Sequence, residues 1–294
     1  MSKYDDNELL EQLKKSHSEV TPKNSFKEEL ESTLINRFNH KSKNKLWMPM
    51  TGMAVAVVLF LLLVLTLDDT LGQPGTPVED TEPRVLIYHT HNHESFLPAL
   101  GIESEGEEAM HHAFDETINV TISGGYLKQD LIEHGIKSIH LQHDIMEELA
   151  EADLPYKESY TLSRRYLEAT LDQYDDIDLV LDIHRAIEPW EKTTTSIHGE
   201  NVAQIVMVIG MEHPNYTENH ALAKALSEKL NDIHPDLSRG VKLLSGPPRN
   251  GIYNQDVHPH SILLEIGGYD NSLEEIQYST KYLARAISEL FETS

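Results

Sequence analysis

The distribution of apolar and polar residues changes along the 294-residue chain and divides it into four parts. In order, these are a polar tail (1–45), an apolar segment without any charged side chain (46–67), a linker rich in proline, glycine and acidic residues (68–83) and a large domain (84–294). As a helix, the apolar segment would extend about 33 Å, which is enough to cross a bilayer. The pattern therefore predicts one transmembrane helix ahead of the domain.

Within the domain, short apolar runs alternate with helical periodicity. Runs of β-branched and aromatic residues predict strands at 85–88, 136–141, 178–185, 241–244 and 261–266. Apolar residues three or four apart predict helices near 125–134, 156–174 and 222–233, and Ser272 with Glu275 has the spacing of a capping box that opens a terminal helix. Residues 193–197 and 203–209 flank a His-Gly-Glu turn and are expected to pair as a hairpin. Strands separated by helices predict an α/β domain with a mostly parallel or mixed sheet flanked by helices.

The distribution of charge gives the predicted membrane segment a direction. Lysines at 41, 43 and 45 precede it, and Asp68 and Asp69 follow it. The positive-inside rule then places the N-terminus in the cytoplasm and the domain outside. We predict a single-pass protein of the cell membrane, held by an uncleaved signal anchor.

The domain is strongly acidic, and this excludes one class of partner. Residues 68–294 carry 15 lysines and arginines against 41 aspartates and glutamates, and the whole chain has a formal net charge of -25. Such a surface repels phosphate backbones, so a nucleic-acid partner is not expected. The acidic balance itself is that of a solubilising surface.

The chain contains no cysteine but has 17 histidines. Disulfides and thiolate metal sites are thereby excluded. Any metal must be bound by imidazole and carboxylate groups, which suits zinc.

Ionisable residues stand at or near the ends of three predicted strands. His89, His91, His93 and Glu94 follow the first of them, and His184 closes the strand at 178–185. Because ligands bind beyond the carboxyl ends of strands in open α/β sheets, we expect these side chains to meet at one edge. Two imidazoles and one carboxylate would leave a position of a tetrahedral zinc open for water.

Glu265 is a candidate general acid/base within the strand at 261–266. Its apolar neighbours Leu263, Leu264 and Ile266 would raise its pKa towards the range that such a role requires. At this stage any of His89, His91 and His93 could be the first histidine ligand, and a histidine at a strand end is often only a hydrogen-bonded residue.

Two further residues are candidates for substrate binding. Arg185, beside His184, could hold a carboxylate as a bidentate partner or form an ordinary salt bridge. Asn254, within the polar segment 253–256, could contact substrate or belong to a hydrogen-bonded turn.

The domain resembles the stage II sporulation protein P family of peptidoglycan hydrolases. Seven segments in the same order carry the resemblance, namely 85–91 with Glu94, 156–164, 179–185, 198–204, 237–240, 253–256 and 263–268. A membrane anchor followed by an extracytoplasmic catalytic domain is also similar to that family.

The resemblance implies a zinc-dependent N-acetylmuramoyl-L-alanine amidase that acts in cell-wall remodelling during sporulation engulfment. Such an enzyme cleaves the amide between the lactyl group of N-acetylmuramic acid and L-alanine, and in this family also peptide cross-links. By motif, His91, Glu94 and His184 would be the zinc ligands and Glu265 the general acid/base. The implied partners are peptidoglycan and stage II sporulation proteins D and M.

The chain departs from the family pattern at two positions. Ala186 follows Arg185 where the family usually has an aspartate, which bears on what supports the metal ligands. His93 is an additional histidine in the first segment. The replacement of the aspartate favours one alternative function, a non-catalytic relative that binds cell wall or partner proteins. A second alternative is a zinc hydrolase of small N-acyl amino acids.

Overall fold

A six-stranded mixed sheet forms the centre of the domain in this computed structural model, which describes residues 82–103, 108–247 and 249–292. Its strands, in chain order, are β1 (Arg84–Tyr88), β2 (Lys137–His140), β3 (Leu179–Ala186), β6 (Ile205–Gly210), β7 (Ser238–Leu244) and β8 (Ser261–Gly268). The order across the sheet is β2-β1-β3-β8-β6-β7. Strands β2, β1, β3 and β8 run parallel to one another, and β6 and β7 run in the opposite direction.

Helices lie between the strands along the chain, and the last one follows β8. They are α1 (Leu97–Leu100), α2 (Thr121–Glu133), α3 (Ile145–Glu151), α4 (Ser159–Gln173), α5 (Trp190–Thr193), α6 (Tyr216–Ile233) and α7 (Leu273–Phe291), with two 3-10 turns at Ala109–His112 and Tyr156–Glu158. The expected α/β architecture with a mixed sheet flanked by helices is therefore confirmed. So is the capping box, because Ser272 accepts a hydrogen bond from Glu275 N and the Glu275 side chain accepts one from Ser272 N.

Alternation along the strands separates the two faces of the sheet. Ile183 on β3 and Leu264 on β8 point into the main core beneath α2, α6 and α7. Their neighbours His184 and Glu265 therefore point to the opposite face. Leu167 of α4 and Tyr253 pack against that face, and the candidate site lies on it.

One predicted pairing is wrong. The strand at 194–197 (β4) pairs in an antiparallel hairpin with β5 (Glu200–Ala203), and not with the run that follows. The chain leaves the hairpin at Gln204, after which Ile205–Gly210 joins the main sheet beside β8. Hydrophobicity along 203–209 does not change at the point where the chain passes from the hairpin to the main sheet, so it predicts a single strand there.

The N-terminal predictions fall on residues that lie outside the described ranges. They comprise the polar tail at 1–45, the membrane segment at 46–67 and the linker at 68–83 except for its last two residues. Among the residues that are described, no helix is both long and apolar enough to cross a membrane.

Candidate metal centre

His91 and Glu94 follow β1 in a tight turn, in which Glu94 N donates a hydrogen bond to His91 O over 3.0 Å. The turn brings both side chains towards His184, which projects from the neighbouring strand β3. Potential ligand atoms of His91, Glu94 and His184 all lie within 4.8 Å of one another. The structure thus brings together the three residues that the sequence proposed as ligands.

The carboxylate of Glu94 lies between the two imidazoles. Its Oε1 is 3.9 Å from His91 Nδ1, and its Oε2 is 3.3 Å from His184 Nδ1. The two rings are perpendicular, with centroids 5.0 Å apart. Both Nδ1 atoms therefore face the same small space as the carboxylate.

The outer nitrogens of the two histidines have their own partners. His91 Nε2 is hydrogen bonded to Ser159 Oγ at 3.0 Å, and His184 Nε2 lies 3.1 Å from Asp182 Oδ1. The second contact is an ion pair when His184 is protonated. Such partners orient imidazole rings and increase their basicity when they bind a metal.

Asp182 is a functional candidate in addition to the residues predicted from the sequence. It is two residues from His184 on β3 and so shares its face of the sheet. It accepts hydrogen bonds from Thr90 N (2.9 Å) and Thr90 Oγ1 (2.7 Å), which fixes its carboxylate. The support expected from an aspartate after Arg185 is thus supplied from within the strand. The signal was present as a charged residue in an otherwise apolar run.

Burial and charge set opposite protonation states within this cluster. Burial lowers the pKa of His91 to about 4, assisted by the nearby His184, so this imidazole is neutral. Burial raises the pKa of Glu94, but His184 and Arg185 outweigh it and bring the pKa to about 2. Burial also lowers the pKa of His184, whereas Asp182 and Glu94 raise it well above its ordinary value.

The donor set fits a divalent metal with an open position. Two imidazoles and a carboxylate are the protein ligands of one common class of catalytic zinc site. The cluster is also rich in negative charge, because Asp182 and Glu94 are both buried beside His184. Zinc suits such a site better than magnesium, which prefers oxygen ligands and water.

The alternative histidines do not belong to the cluster. His89 is buried, and its two nitrogens contact Ile183 O (3.0 Å) and His140 Nε2 (2.8 Å). A Cβ on Gly124 would lie within 2.6 Å of a nitrogen of each of these rings, so glycine there makes room for the pair. His93 instead pairs with Asp144, at 2.8 Å from its Oδ1.

Glu265 is the cross-strand partner of His184 in the parallel ladder between β3 and β8, which sets both side chains on one face. It is partly buried, and burial raises its pKa, as its apolar neighbours predicted, although Lys242 lowers it. Lys242 Nζ lies 3.0 Å from Glu265 Oε2. A carboxylate is thus held beside the histidine cluster without belonging to it.

The surroundings of Arg185 do not fit the predicted role in substrate binding. The side chain is only 2% exposed, and its guanidinium donates to the backbone carbonyls of Ser95, Met110, Ala113 and Ala186. These donors are unavailable to a ligand because they hold the segment after Glu94 against the end of β3. Among the residues that the structure describes, the partners of this side chain are carbonyl oxygens and not the carboxylates of a salt bridge.

Asn254 is likewise structural. It is 4% exposed, and its Nδ2 donates to Tyr160 O (3.0 Å) and Ser163 Oγ (3.1 Å). Its backbone has a φ of 55°, in the left-handed region that asparagine tolerates better than most residues. The residue ties its turn to α4, and the prediction that it contacts substrate is therefore corrected.

A cavity of about 510 Å³ lies beside the histidine cluster. His91 forms part of its wall, and the ring of Tyr156 stacks on His91 with centroids 4.5 Å apart. A substrate in this cavity would contact one of the candidate ligands.

A family model described as Stage II sporulation protein P (SpoIIP) matches residues 2–288. The chain belongs to this family. Stage II sporulation protein P of Bacillus subtilis (strain 168) is 36% identical over 224 residues, which are 76% of this chain and 55% of that protein. The chain therefore spans about half the length of this curated relative of the SpoIIP family.

Solved structures give lower similarity. The CwlD amidase from Clostridioides difficile in complex with the GerS lipoprotein is 12% identical, with a TM-score of 0.44 over 72% of this chain and 98% of that chain. The N-acetylmuramoyl-L-alanine amidase from Clostridium difficile 630 is 14% identical, with a TM-score of 0.41 over 73% of this chain and 97% of that chain.

Proposed function

We propose that this member of the SpoIIP family is a zinc-dependent N-acetylmuramoyl-L-alanine amidase of peptidoglycan. The observation that carries the proposal is the gathering of His91, Glu94 and His184 within 4.8 Å, with Glu265 in register beside His184. Cleavage of peptide cross-links would use the same residues.

His91, Glu94 and His184 would hold the zinc ion, which supplies a polarised scissile carbonyl and a water of lowered pKa. Ser159 and Asp182 keep the two imidazoles oriented. Glu265 accepts the proton of the attacking water and returns it to the departing amine nitrogen. The raised pKa of Glu265 suits a group that must both take and give a proton.

Incubation of the purified full chain with peptidoglycan sacculi and zinc tests the proposal. We expect release of stem peptides with a new L-alanine amino terminus. A chelator should abolish the release, and Glu265→Gln should lower it by roughly a hundredfold or more. Lys224→Gln, which changes an exposed ion pair on α6, is the matched control. Zinc bound in full without any release would instead support a non-catalytic wall-binding relative.

Asp182 weighs against that non-catalytic alternative, whose one argument was the replacement of an aspartate by Ala186. It supplies a carboxylate to His184 from two residues upstream. The remaining alternative, hydrolysis of small N-acyl amino acids, would be favoured if such compounds were cleaved while intact cell wall was untouched.

We also propose that the domain acts on the outer side of the cell membrane, held by residues 46–67, during sporulation. This rests on the 22 uncharged residues flanked by lysines and aspartates, and on membership of the SpoIIP family. Protease treatment of intact protoplasts should degrade the domain and spare the tail at 1–45. Stage II sporulation proteins D and M are the proposed partners, to be tested by co-purification from sporulating cells.

A further inference from the structure

The cavity beside His91 combines aromatic walls with two positive charges. Its wall includes His91, Tyr156, Tyr160 and Tyr253, together with Lys157 and Arg249. The rings form a connected series, because Tyr160 lies 5.4 Å from His91 and 5.6 Å from Tyr253 between centroids. The cavity is thus continuous with the candidate metal centre.

The two cations are unusual in this acidic protein. The chain has a formal net charge of -25, yet among the described residues no carboxylate lies within ion-pair distance of Lys157 or Arg249. No carboxylate is found among the described residues that line the cavity either. Both side chains belong to exposed residues, so their charges are available to a ligand.

Local structure positions the backbone of both residues. Lys157 belongs to the 3-10 turn Tyr156–Glu158, which leads directly into Ser159, the partner of His91. Arg249 N donates to Gly246 O. Four residues after Arg249, Tyr253 is buried against Val208 and Leu263 of the sheet.

We propose that this cavity binds the peptide arm of the substrate through its free carboxylates, with Lys157 and Arg249 as the charged partners. The inference rests on the proposed function. It adds which side of the cleaved amide, glycan or peptide, the cavity binds. The glycan side of that amide is neutral, whereas the stem peptide carries free carboxylates. Two cations without a carboxylate partner among the described residues therefore match the peptide side. A guanidinium can also hold a carboxylate by two parallel hydrogen bonds.

Binding can be measured without cleavage in the full-length Glu265→Gln protein loaded with zinc. The probes for calorimetric titration are muramoyl tetrapeptide with free carboxylates, the same compound with its carboxylates amidated, and a glycan oligosaccharide whose lactyl groups carry a simple amide in place of the peptide. We expect the free form to bind about tenfold more tightly than the amidated form at low salt, since two exposed charge pairs are involved.

Lys157→Ala with Arg249→Ala should reduce that preference to about twofold or less. Arg165→Ala removes an exposed charge on α4 outside the cavity and should leave the preference unchanged. If circular dichroism shows that the double variant is misfolded, the single variants Lys157→Gln and Arg249→Gln provide the same comparison. Each should lose part of the preference for the free peptide.

Three results would overturn the inference: equal binding of free and amidated peptide, a preference that survives the charge-removing variants, or tighter binding of the peptide-free glycan. Failure of the proposed function is distinguishable from these. Protein with intact Glu265 would then bind the free muropeptide selectively and never hydrolyse it, whereas hydrolysis without selectivity would remove only the assignment of this cavity.

Discussion

The ammonium of Lys242 lies 3.0 Å from Glu265 Oε2, although the two residues stand on strands that β6 separates. The same ammonium is 3.2 Å from Glu188 Oε1, which also contacts Arg239 at 3.2 Å. The proposed general acid/base is therefore held in a network of alternating charges. Burial raises the pKa of Glu265, and Lys242 opposes this rise.

Replacing Lys242 with methionine should shift the pH profile of hydrolysis. Glu265 must be ionised to accept a proton, and loss of the neighbouring cation raises its pKa further. We expect the acidic limb of the kcat profile to move to higher pH by about 1 unit. Lys242→Arg should restore the original limb, since the charge is kept. Lys224→Met, on an exposed helix pair, is the control, and an unmoved limb in Lys242→Met would contradict the prediction.

Glu265→Gln should separate metal binding from catalysis. The residue lies beside the ligand cluster and not within it, so the variant should bind zinc at the same stoichiometry as the parent. Hydrolysis should fall by roughly a hundredfold or more, the usual contribution of a positioned general acid/base. Zinc analysis and turnover are measured on one preparation, and undiminished turnover would remove Glu265 from the mechanism.

The histidine ligands can be distinguished by their zinc content. His91→Ala and His184→Ala should each lose stoichiometric zinc, because each removes one of the three candidate ligands. His93→Ala should retain it, since His93 is paired with Asp144 outside the cluster. Retention of zinc by His91→Ala, with loss in His93→Ala, would reverse the assignment.

Arg185→Met should reduce stability more than substrate affinity. The variant leaves several backbone carbonyls without a donor, and we expect the free energy of unfolding to fall by about 3 kcal/mol. Urea denaturation measures this, with Arg285→Met as the exposed control, for which a change below about 1 kcal/mol is expected. An unchanged unfolding curve with an increased KM would restore the substrate-binding role.

Burial of His140 should lower the free energy of unfolding of the protein in acid. Burial, with the neighbouring His89 and Lys128, lowers the pKa of His140 to about 3 in the folded protein, whereas in the unfolded chain a histidine has a pKa of about 6.5. The unfolded chain thus binds this proton first, so the contribution to stability is complete above about pH 6.5 and is lost as the pH falls towards 3. His140→Gln should show a shallower fall in unfolding free energy between pH 6.5 and 4.5. His112→Gln, at an exposed residue, should behave like the parent.

The candidate ligands could be predicted from sequence because parallel strands bring their carboxyl ends to one edge. Polar residues at the ends of two apolar runs were therefore expected to meet, and His91, Glu94 and His184 do so. The choice between His91 and its neighbours needed the structure. It depends on a turn after β1 that directs His89 towards β2 and His93 towards Asp144.

Other parts of the site depend on contacts that no local pattern records. Lys242 reaches Glu265 across an intervening strand whose position follows from the unexpected end of the hairpin at Gln204. Arg185 lies near the end of β3, which is typical of a rim residue, but its side chain is buried against backbone carbonyls of a segment more than 70 residues earlier. Sequence identifies such a side chain as charged without identifying what satisfies it.

His184 and Glu265 are paired in the ladder between β3 and β8, and this pairing governs how the family could vary. The backbone sets their separation at about the 4.8 Å spacing of adjacent strands, whatever the length of the loops between them. Insertions between the two strands would leave the distance unchanged. Deletion of a single residue within either strand would turn one of the two side chains towards the core. Sequence drift in this protein should therefore be tolerated in connecting segments and strictly limited in strand length.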